Sequence, residues 1–299
     1  MKNVVMFTEP EWAFGSIHYE LAKYLFQYGY NCHLLSWQKN YTIQEMIELD
    51  SVTDIYLTNP HGYRYLVHNF ARVRPSKIVA VAHGKVDLED LILNHGYDDF
   101  DRMRRFVGVS EWLQDVAKNL GIRRPMEVAH LGINFNTFYS PPSLGLATVG
   151  YAGAFNPGGH FPIKRTHLIQ KAVSMAGLAF KASMPYNNSF INMPGFYRSV
   201  DAVIVASLEE GAGLPALEAA AAGKVVITTP VGHYKNRITS KGADCVSIDE
   251  NKFIEETVEL LIKYKENYSL YRERCLEIQE HAKTYDWKYV LDKWIALLT

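Results

Sequence analysis

Residues 202–228 confine this 299-residue chain to a narrow set of folds. An apolar run, Ala202-Val-Ile-Val-Ala206, enters a turn of small residues, passes through a short alanine-rich segment and re-emerges as Val225-Val-Ile-Thr228. Two strand-length runs joined by a helix-length segment describe a strand–helix–strand crossover, which lays its strands parallel and covers them with helices. The spacing predicts a helix with Pro215 at its first position, where a missing N–H costs nothing, and a stop at Gly223. Glu210 and Glu218 stand eight positions apart in this segment. Glu210 falls in the loop at the strand's carboxyl end and Glu218 about one turn into the helix. Both can then face the crevice where open α/β sheets bind ligands. The amides of Gly211, Ala212, Gly213 and Leu214 line the helix N-terminus, a position suited to phosphate.

The same alternation runs through almost the whole chain. Strands are predicted at Val4–Phe7, Cys32–Ser36, Asp54–Leu57, Ile78–Ala82, Phe106–Val109 and Glu127–Ala129. Ser16 is placed as the cap of a helix running to Tyr28, and a second helix covers Glu111–Asn119. Residues 136–148, with paired prolines, break the rhythm and mark the expected domain boundary. The alternation then restarts at Val149–Ala152, Ala179–Ala182, Ala202–Val205, Val225–Thr228 and Cys245–Ile248. From Lys252 the pattern is helical, ending in Trp287–Leu298 with one apolar side. The expected organisation is two α/β domains, 1–140 and 141–285, followed by a terminal helix, 286–299. Ligands are expected in a cleft between the carboxyl edges of two sheets.

Charge narrows the partners. Lysine plus arginine total 31 against 32 acids, spread evenly, so nothing announces nucleic acid or an anionic membrane beyond peripheral association. Cys32, Cys245 and Cys275 fit no zinc or redox spacing, no stretch approaches a membrane span, and the start reads as a strand rather than a signal peptide. A reduced, cytoplasmic setting is expected.

A second candidate site is Gly150-Tyr-Ala-Gly-Ala-Phe-Asn-Pro-Gly-Gly-His-Phe-Pro-Ile-Lys-Arg-Thr-His167, placed like a phosphate loop between strand and helix but without P-loop spacing. Lys164 and Arg165 fall near the start of the next helix, where cations oppose its dipole. An anion between them and the helix resolves that conflict; a solvated basic pair is the plain alternative. Gly211-Ala-Gly-Leu-Pro-Ala216 matches G-x-G-x-x-A, yet no acidic residue follows at the spacing a dinucleotide needs. Asp99-Phe-Asp101 is a D-x-D triplet of the kind that holds metals, in the opposite half from the glutamate pair. His61, His160, His167 and His233 show no ligand spacing, and no metal or cofactor is expected.

Ser207 to Gly223 resembles the E-x7-E signature of retaining nucleotide-sugar glycosyltransferases with the GT-B fold, the family that includes sucrose synthases and many lipopolysaccharide and mannosyl transferases. That family commonly reads Ser-x-x-Glu-Gly-Phe-Gly-Leu-Pro-x-Leu-Glu-Ala-Met-Ala-x-Gly; Ala212 and the Ala221 region depart from it. The approach Tyr197-Arg-Ser-Val-Asp-Ala-Val-Ile-Val is also similar, as are Val107-Gly-Val-Ser-Glu111 and His130-Leu-Gly-Ile-Asn134 further upstream. The resemblance implies two Rossmann-like domains facing across a cleft, with the C-terminal helix crossing back to the N-terminal domain. It implies a nucleotide diphosphate donor, UDP- or GDP-linked, on the C-terminal domain, and a glycan, glycolipid or other hydroxyl acceptor on the N-terminal one.

Carried over by residue, Glu210 would orient the donor sugar and Glu218 would bind the nucleoside ribose. Lys164 would neutralise the leaving diphosphate, and the amides of 211–214 would meet sugar or phosphates. The family's Gly-Arg pair is broken, since Ala154 follows Gly153, and Arg165 is the expected substitute. Phe14-Gly15-Ser16 resembles a Gly-Gly turn with one glycine lost, and Ala82-His83-Gly84 resembles the His-Gly element beside the sugar. Base contacts are expected from Met184–Asn188, and acceptor contacts from loops 8–15, 38–44 and 59–65. The family is assigned a front-face mechanism in which the leaving phosphate helps deprotonate the acceptor. A glycosidase-like pairing of two glutamates is formally possible, as are a related epimerase or phosphorylase and a non-catalytic module that binds nucleotide or glycan.

Overall fold

The computed structural model describes residues 1–8, 13–36, 39–70, 73–153, 161–184, 189–235 and 241–299. The chain divides into two compact units, one of Met1–Gly132 with Trp287–Thr299, the other of Ile133–Asp286.

The first unit is built on six parallel strands: β1 (Lys2–Thr8), β2 (Tyr30–Ser36), β3 (Ile55–Thr58), β4 (Ile78–Ala82), β5 (Arg105–Gly108) and β6 (Glu127–Val128). Their order is β2-β1-β3-β4-β5-β6. All residues of β3 and β4 are buried, as expected for central parallel strands covered on both faces. The helix Ala13–Phe26 follows β1. It begins before Ser16, which therefore sits inside the helix and not at its cap as expected. Ser110, by contrast, caps Glu111–Asn119, its side chain accepting from Leu113 N–H.

The terminal helix Trp287–Leu298 belongs to this unit. Trp294 Nε1 donates to the His130 carbonyl at 2.9 Å, and the Trp287 ring lies against Gly132 so closely that a Cβ there would sit 2.3 Å from Cδ2. Lys293 pairs with Glu127 at 3.2 Å.

The second unit has five parallel strands: β7 (Thr148–Ala152), β8 (Ala179–Ser183), β9 (Ala202–Val205), β10 (Val225–Thr228) and β11 (Asp244–Cys245). They lie in the order β11-β10-β9-β7-β8. Side chains alternate between two cores. Val149, Tyr151, Ala202, Ile204, Val225 and Ile227 pack with Ile169 and Phe253 on one face; Val203, Val205 and Val226 pack with Leu217 and Ile278 on the other. The boundary lies at 132/133, ahead of the expected 140, because Ile133, Phe135 and Phe138 are buried in the second of these cores. Gln279 fastens the junction by donating to the carbonyls of Ser140 and Ala221, each at 2.8 Å.

No helix among the described residues is long and apolar enough to cross a membrane. The three cysteines are free, and burial pushes each thiol up to about 11, which leaves them protonated and unreactive at neutral pH.

Candidate functional site

Both sheets begin in the flavodoxin-like order, first strand inside second, so each has a switch point where the direction of winding reverses. In the second unit that point lies between β7 and β9. The loop after β7 leads to Lys164, and the loop after β9 carries Glu210. Crevices form outside the carboxyl ends of strands at such points because neighbouring connections leave on opposite faces.

Three groups converge there. Lys164 Nζ donates to Glu210 Oε1 at 2.5 Å, and Ser207 Oγ donates to the same oxygen at 2.6 Å. Glu210 Oε2 takes no hydrogen bond from the described residues, so it is available to a ligand hydroxyl. Ser207 is fully buried and is pinned in turn by Thr229, whose hydroxyl donates to its carbonyl at 2.5 Å.

The helix that follows is Leu214–Ala221, with Gly213 as its cap in the left-handed conformation at φ 80°. Pro215 is thus its second residue, one later than expected. A side chain at 213 would carry the steric cost of that conformation, roughly 1 kcal/mol. The turn is braced from the loop after β10. His233 N–H donates to the Ala212 carbonyl at 3.2 Å, and a Cβ on Gly232 would stand 2.6 Å from that carbonyl oxygen.

Glu218 is buried one turn into this helix, with Oε2 accepting from Tyr197 at 2.7 Å. Burial raises its carboxyl to about 7, against the hydrogen bond from Tyr197, which lowers it. Desolvation outweighs both that bond and the helix dipole, which is worth roughly 0.3–1 kcal/mol. Glu218 Oε1 takes no hydrogen bond from the described residues, so this carboxylate also retains a free acceptor.

Arg165, the expected substitute at the diphosphate, is held by backbone carbonyls. It takes a left-handed conformation at φ 46°, alone among described non-glycine residues, and is 3 % exposed. Its Nε donates to the Ala206 carbonyl at 2.7 Å and Nη1 to Ile248 at 2.6 Å. A guanidinium committed to two carbonyls ties the loop after β9 to the one after β11. The short helix Phe161–Lys164 ends at Lys164, and Arg165 caps the next, Thr166–Met175. Gly153 follows β7, and its N–H donates to the Ser183 carbonyl. Met184 follows β8; 185–188 and 154–160 lie outside the described residues, as does the start of the loop after β1.

In the first unit the switch point lies between β1 and β3. Gly15 is buried in the helix after β1. Thr8 and Thr58, the last residues of these strands, are buried with hydroxyls lacking a partner, as is His18 Nδ1. His83 follows β4, its N–H donating to Asp87 Oδ2 at 2.8 Å. Burial and then the neighbouring His18 ring push His83 down to about 3, and burial alone takes His18 to about 4. Both rings are neutral at physiological pH. Burial raises Asp87 to about 6 against the backbone bonds from His83 and Gly84.

Residues 170–263 match the family described as glycosyl transferases group 1. Over that segment, about a third of the chain, the sequence is similar to group 1 glycosyl transferases. No curated protein sequence matches significantly. Among solved structures, the fold is shared with Anabaena HepE, crystallised with UDP and glucose, at a TM-score of 0.74 and 13 % identity, covering 100 % of this chain and 99 % of that one. It is shared with sucrose-phosphate synthase from Thermosynechococcus elongatus at 0.70 and 11 %, over 99 % and 98 %. Starch synthase IV from Arabidopsis thaliana, bound to ADP and acarbose, matches at 0.69 and 12 %, over 100 % and 98 %. These are GT-B glycosyltransferases, and the two Rossmann-like parallel sheets of this chain are that fold.

Ser207, Thr229, Gly232 and His233 were not singled out for a role in the sequence. Ser207 was legible as the first residue of the signature. The bracing contacts of the others arise only when the loop after β10 folds onto the turn.

Proposed function

We propose that this glycosyltransferase moves a sugar from a nucleotide diphosphate donor to a hydroxyl acceptor with retention of configuration. The observation that carries the reading is the convergence of Lys164 and Ser207 on one oxygen of Glu210 at the switch point of the second sheet. Glu210 Oε2 accepts a sugar hydroxyl, Glu218 Oε1 accepts from the ribose, and Lys164 neutralises the leaving diphosphate, helped by the amides of the 211–214 turn. A preorganised cation at the position where charge develops is an electrostatic contribution that needs no metal at the phosphates. The leaving phosphate then takes the acceptor proton on the same face of the sugar. His83, neutral in the first unit, serves as a hydrogen-bonding group for a hydroxyl and not as a cation.

Because HepE was crystallised with UDP and glucose, UDP-glucose is the first donor to test. A glycan or glycolipid is the acceptor class, and the three free cysteines fit work in the cytoplasm. Incubation with a panel of nucleotide sugars, followed by nuclear magnetic resonance of the product's anomeric centre, tests the reading. An α-linked donor giving an α-linked product supports it, and inversion overturns it. A second reading, a module that binds nucleotide without transfer, draws on Arg165 being committed to backbone carbonyls. It predicts donor-induced thermal stabilisation with no turnover for any acceptor.

A further inference from the structure

Away from both sheet edges, three side chains from successive helices of the first unit converge. His68 stands in the last turn of Pro60–Asn69, His95 closes Lys85–His95, and Asp99 lies in the short helix Asp98–Arg102. Taking one donor atom from each, all three lie within 4.8 Å of one another. His68 Nε2 is 3.1 Å from Asp99 Oδ2. The two imidazoles stack, with centroids 3.7 Å apart and planes at 15°.

We propose that His68, His95 and Asp99 bind a divalent transition cation of the zinc type, clamping three helices of the first unit together. The proposal goes beyond glycosyl transfer and assigns the ion no part in it. Two imidazoles and one carboxylate are a donor set that zinc favours over magnesium or calcium, and three protein ligands leave a fourth position for water. Bonds of about 2.0–2.1 Å in a tetrahedron place neighbouring ligand atoms about 3.3 Å apart, close to the His68–Asp99 separation.

The carboxylate is also held as a ligand needs to be. Asp99 is 4 % exposed, and its Oδ1 accepts from Tyr63 Oη and from Arg102 Nη1, each at 3.2 Å. Outer partners on one oxygen fix the other in place for an ion. A plain ion pair among Asp99, His68 and Arg102 accounts for those three residues and not for His95. That ring makes no hydrogen bond to a described residue and is held only by its stack on His68, so it is free to turn out of the stack and bring the lone pair in its ring plane onto an ion shared with His68 and Asp99. Arg64 opposes a cation here, but Asp90, 3.3 Å from its Nη1, offsets that charge.

Calorimetric titration of the tag-free, chelator-treated chain with zinc chloride tests the site. One equivalent of zinc bound by the wild type, with a raised Tm, is expected. His68→Ala and His95→Ala should weaken that binding by about 100-fold or more. Tyr63→Phe, which removes one of the two donors to Asp99 Oδ1, should weaken it by about tenfold. No binding by the wild type, or unchanged binding in both alanine variants, overturns the proposal. If those variants fail to fold, cobalt(II) added to the wild type decides. Intense visible bands of a four-coordinate ion support the site, and a pale six-coordinate spectrum or none overturns it.

Discussion

The two switch points share a topology and differ in chemistry. In the second unit, the side chains at the strand ends are charged and meet each other, Lys164 and Ser207 on Glu210, although Arg165 Nη2 and the Thr166 hydroxyl beside them lack partners. In the first unit, the corresponding edge is neutral and unsatisfied, with two threonine hydroxyls and a histidine nitrogen lacking partners and a second histidine held neutral. A buried polar group without a partner costs on the order of 1–3 kcal/mol. On the function proposed above, the first edge offers neutral, unpaired groups to an uncharged, hydroxyl-rich ligand, and the second offers a cation beside a carboxylate to an anion and a sugar. Topology places a crevice in both, and residue chemistry alone assigns their ligands.

The largest effect should come from dismantling the charged edge. Glu210→Ala and Lys164→Met are each expected to lower kcat by roughly 10²–10³, the range for removing one preorganised electrostatic contact. Donor binding measured by calorimetry should fall far less than kcat for Glu210→Ala. Equal losses in binding and kcat would mean that Glu210 holds the ground state and not the reacting sugar.

Next in size is Glu218. Glu218→Gln should weaken donor binding by roughly 10- to 100-fold, the worth of hydrogen bonds to a charged group. The same change should stabilise the unliganded protein at pH 8. Its folded pKa, about 7, lies above the ordinary 4.5. The stability this group contributes is present below about 4.5 and is lost as pH rises through 7, on the order of 3 kcal/mol in all. A thermal melt at pH 8 and another at pH 4 separate the two states, with the variant gaining only at the higher pH. Donor affinity of the wild type should rise between pH 6 and pH 8 as the carboxylate forms. A flat profile would show that the ribose is held by other groups.

The charged edge was the more legible of the two in the sequence. Glu210 and Glu218 could be placed because a strand, a turn and a helix each leave local signals, and β4, β9 and β10 were bounded to the residue for the same reason. Ser16 shows where local signals fail. A serine before an apolar face looks like a cap, but the helix starts at Ala13 and the serine is an ordinary inner residue. The boundary was misplaced by a related cause, since prolines at 141 and 142 mark a turn in the chain while Phe135 and Phe138 decide which core the segment joins. On the neutral edge only Gly15 and His83 were marked in the sequence, because the unsatisfied hydroxyls of Thr8 and Thr58 and the lowered pKa of His18 exist only after burial.

For the neutral edge, the expected signature is acid sensitivity. His18 and His83 have folded pKa values of about 4 and about 3, below the ordinary 6.5. The stability they contribute is intact above 6.5 and is lost as pH falls toward those values. Asp87 has the opposite sign, losing stability as pH rises through about 6. His18→Gln should flatten the acid-side loss of thermal stability between pH 6.5 and pH 5 without altering donor affinity at pH 7.5. A change in donor affinity would mean that His18 belongs to donor binding and that the contrast between the two edges is false.

The smallest effect on binding, and the sharpest test of the charged edge, is expected at Arg165. Replacing it with glycine relieves a left-handed backbone, worth about 1 kcal/mol. It also removes two charge-assisted bonds to the carbonyls of Ala206 and Ile248, each worth about 1.5–3 kcal/mol before relaxation. The second term is larger, so Arg165→Gly should unfold at lower denaturant concentration while donor affinity at saturating stability changes less than about threefold. Lys164 and Arg165 are adjacent in sequence, yet one reaches Glu210 and the other reaches only backbone. If donor affinity instead falls as far in Arg165→Gly as in Lys164→Met, the guanidinium must leave its carbonyls on donor binding. Arg165 would then be the missing arginine of the diphosphate clamp, with its unpartnered Nη2 as the group that turns to the phosphate.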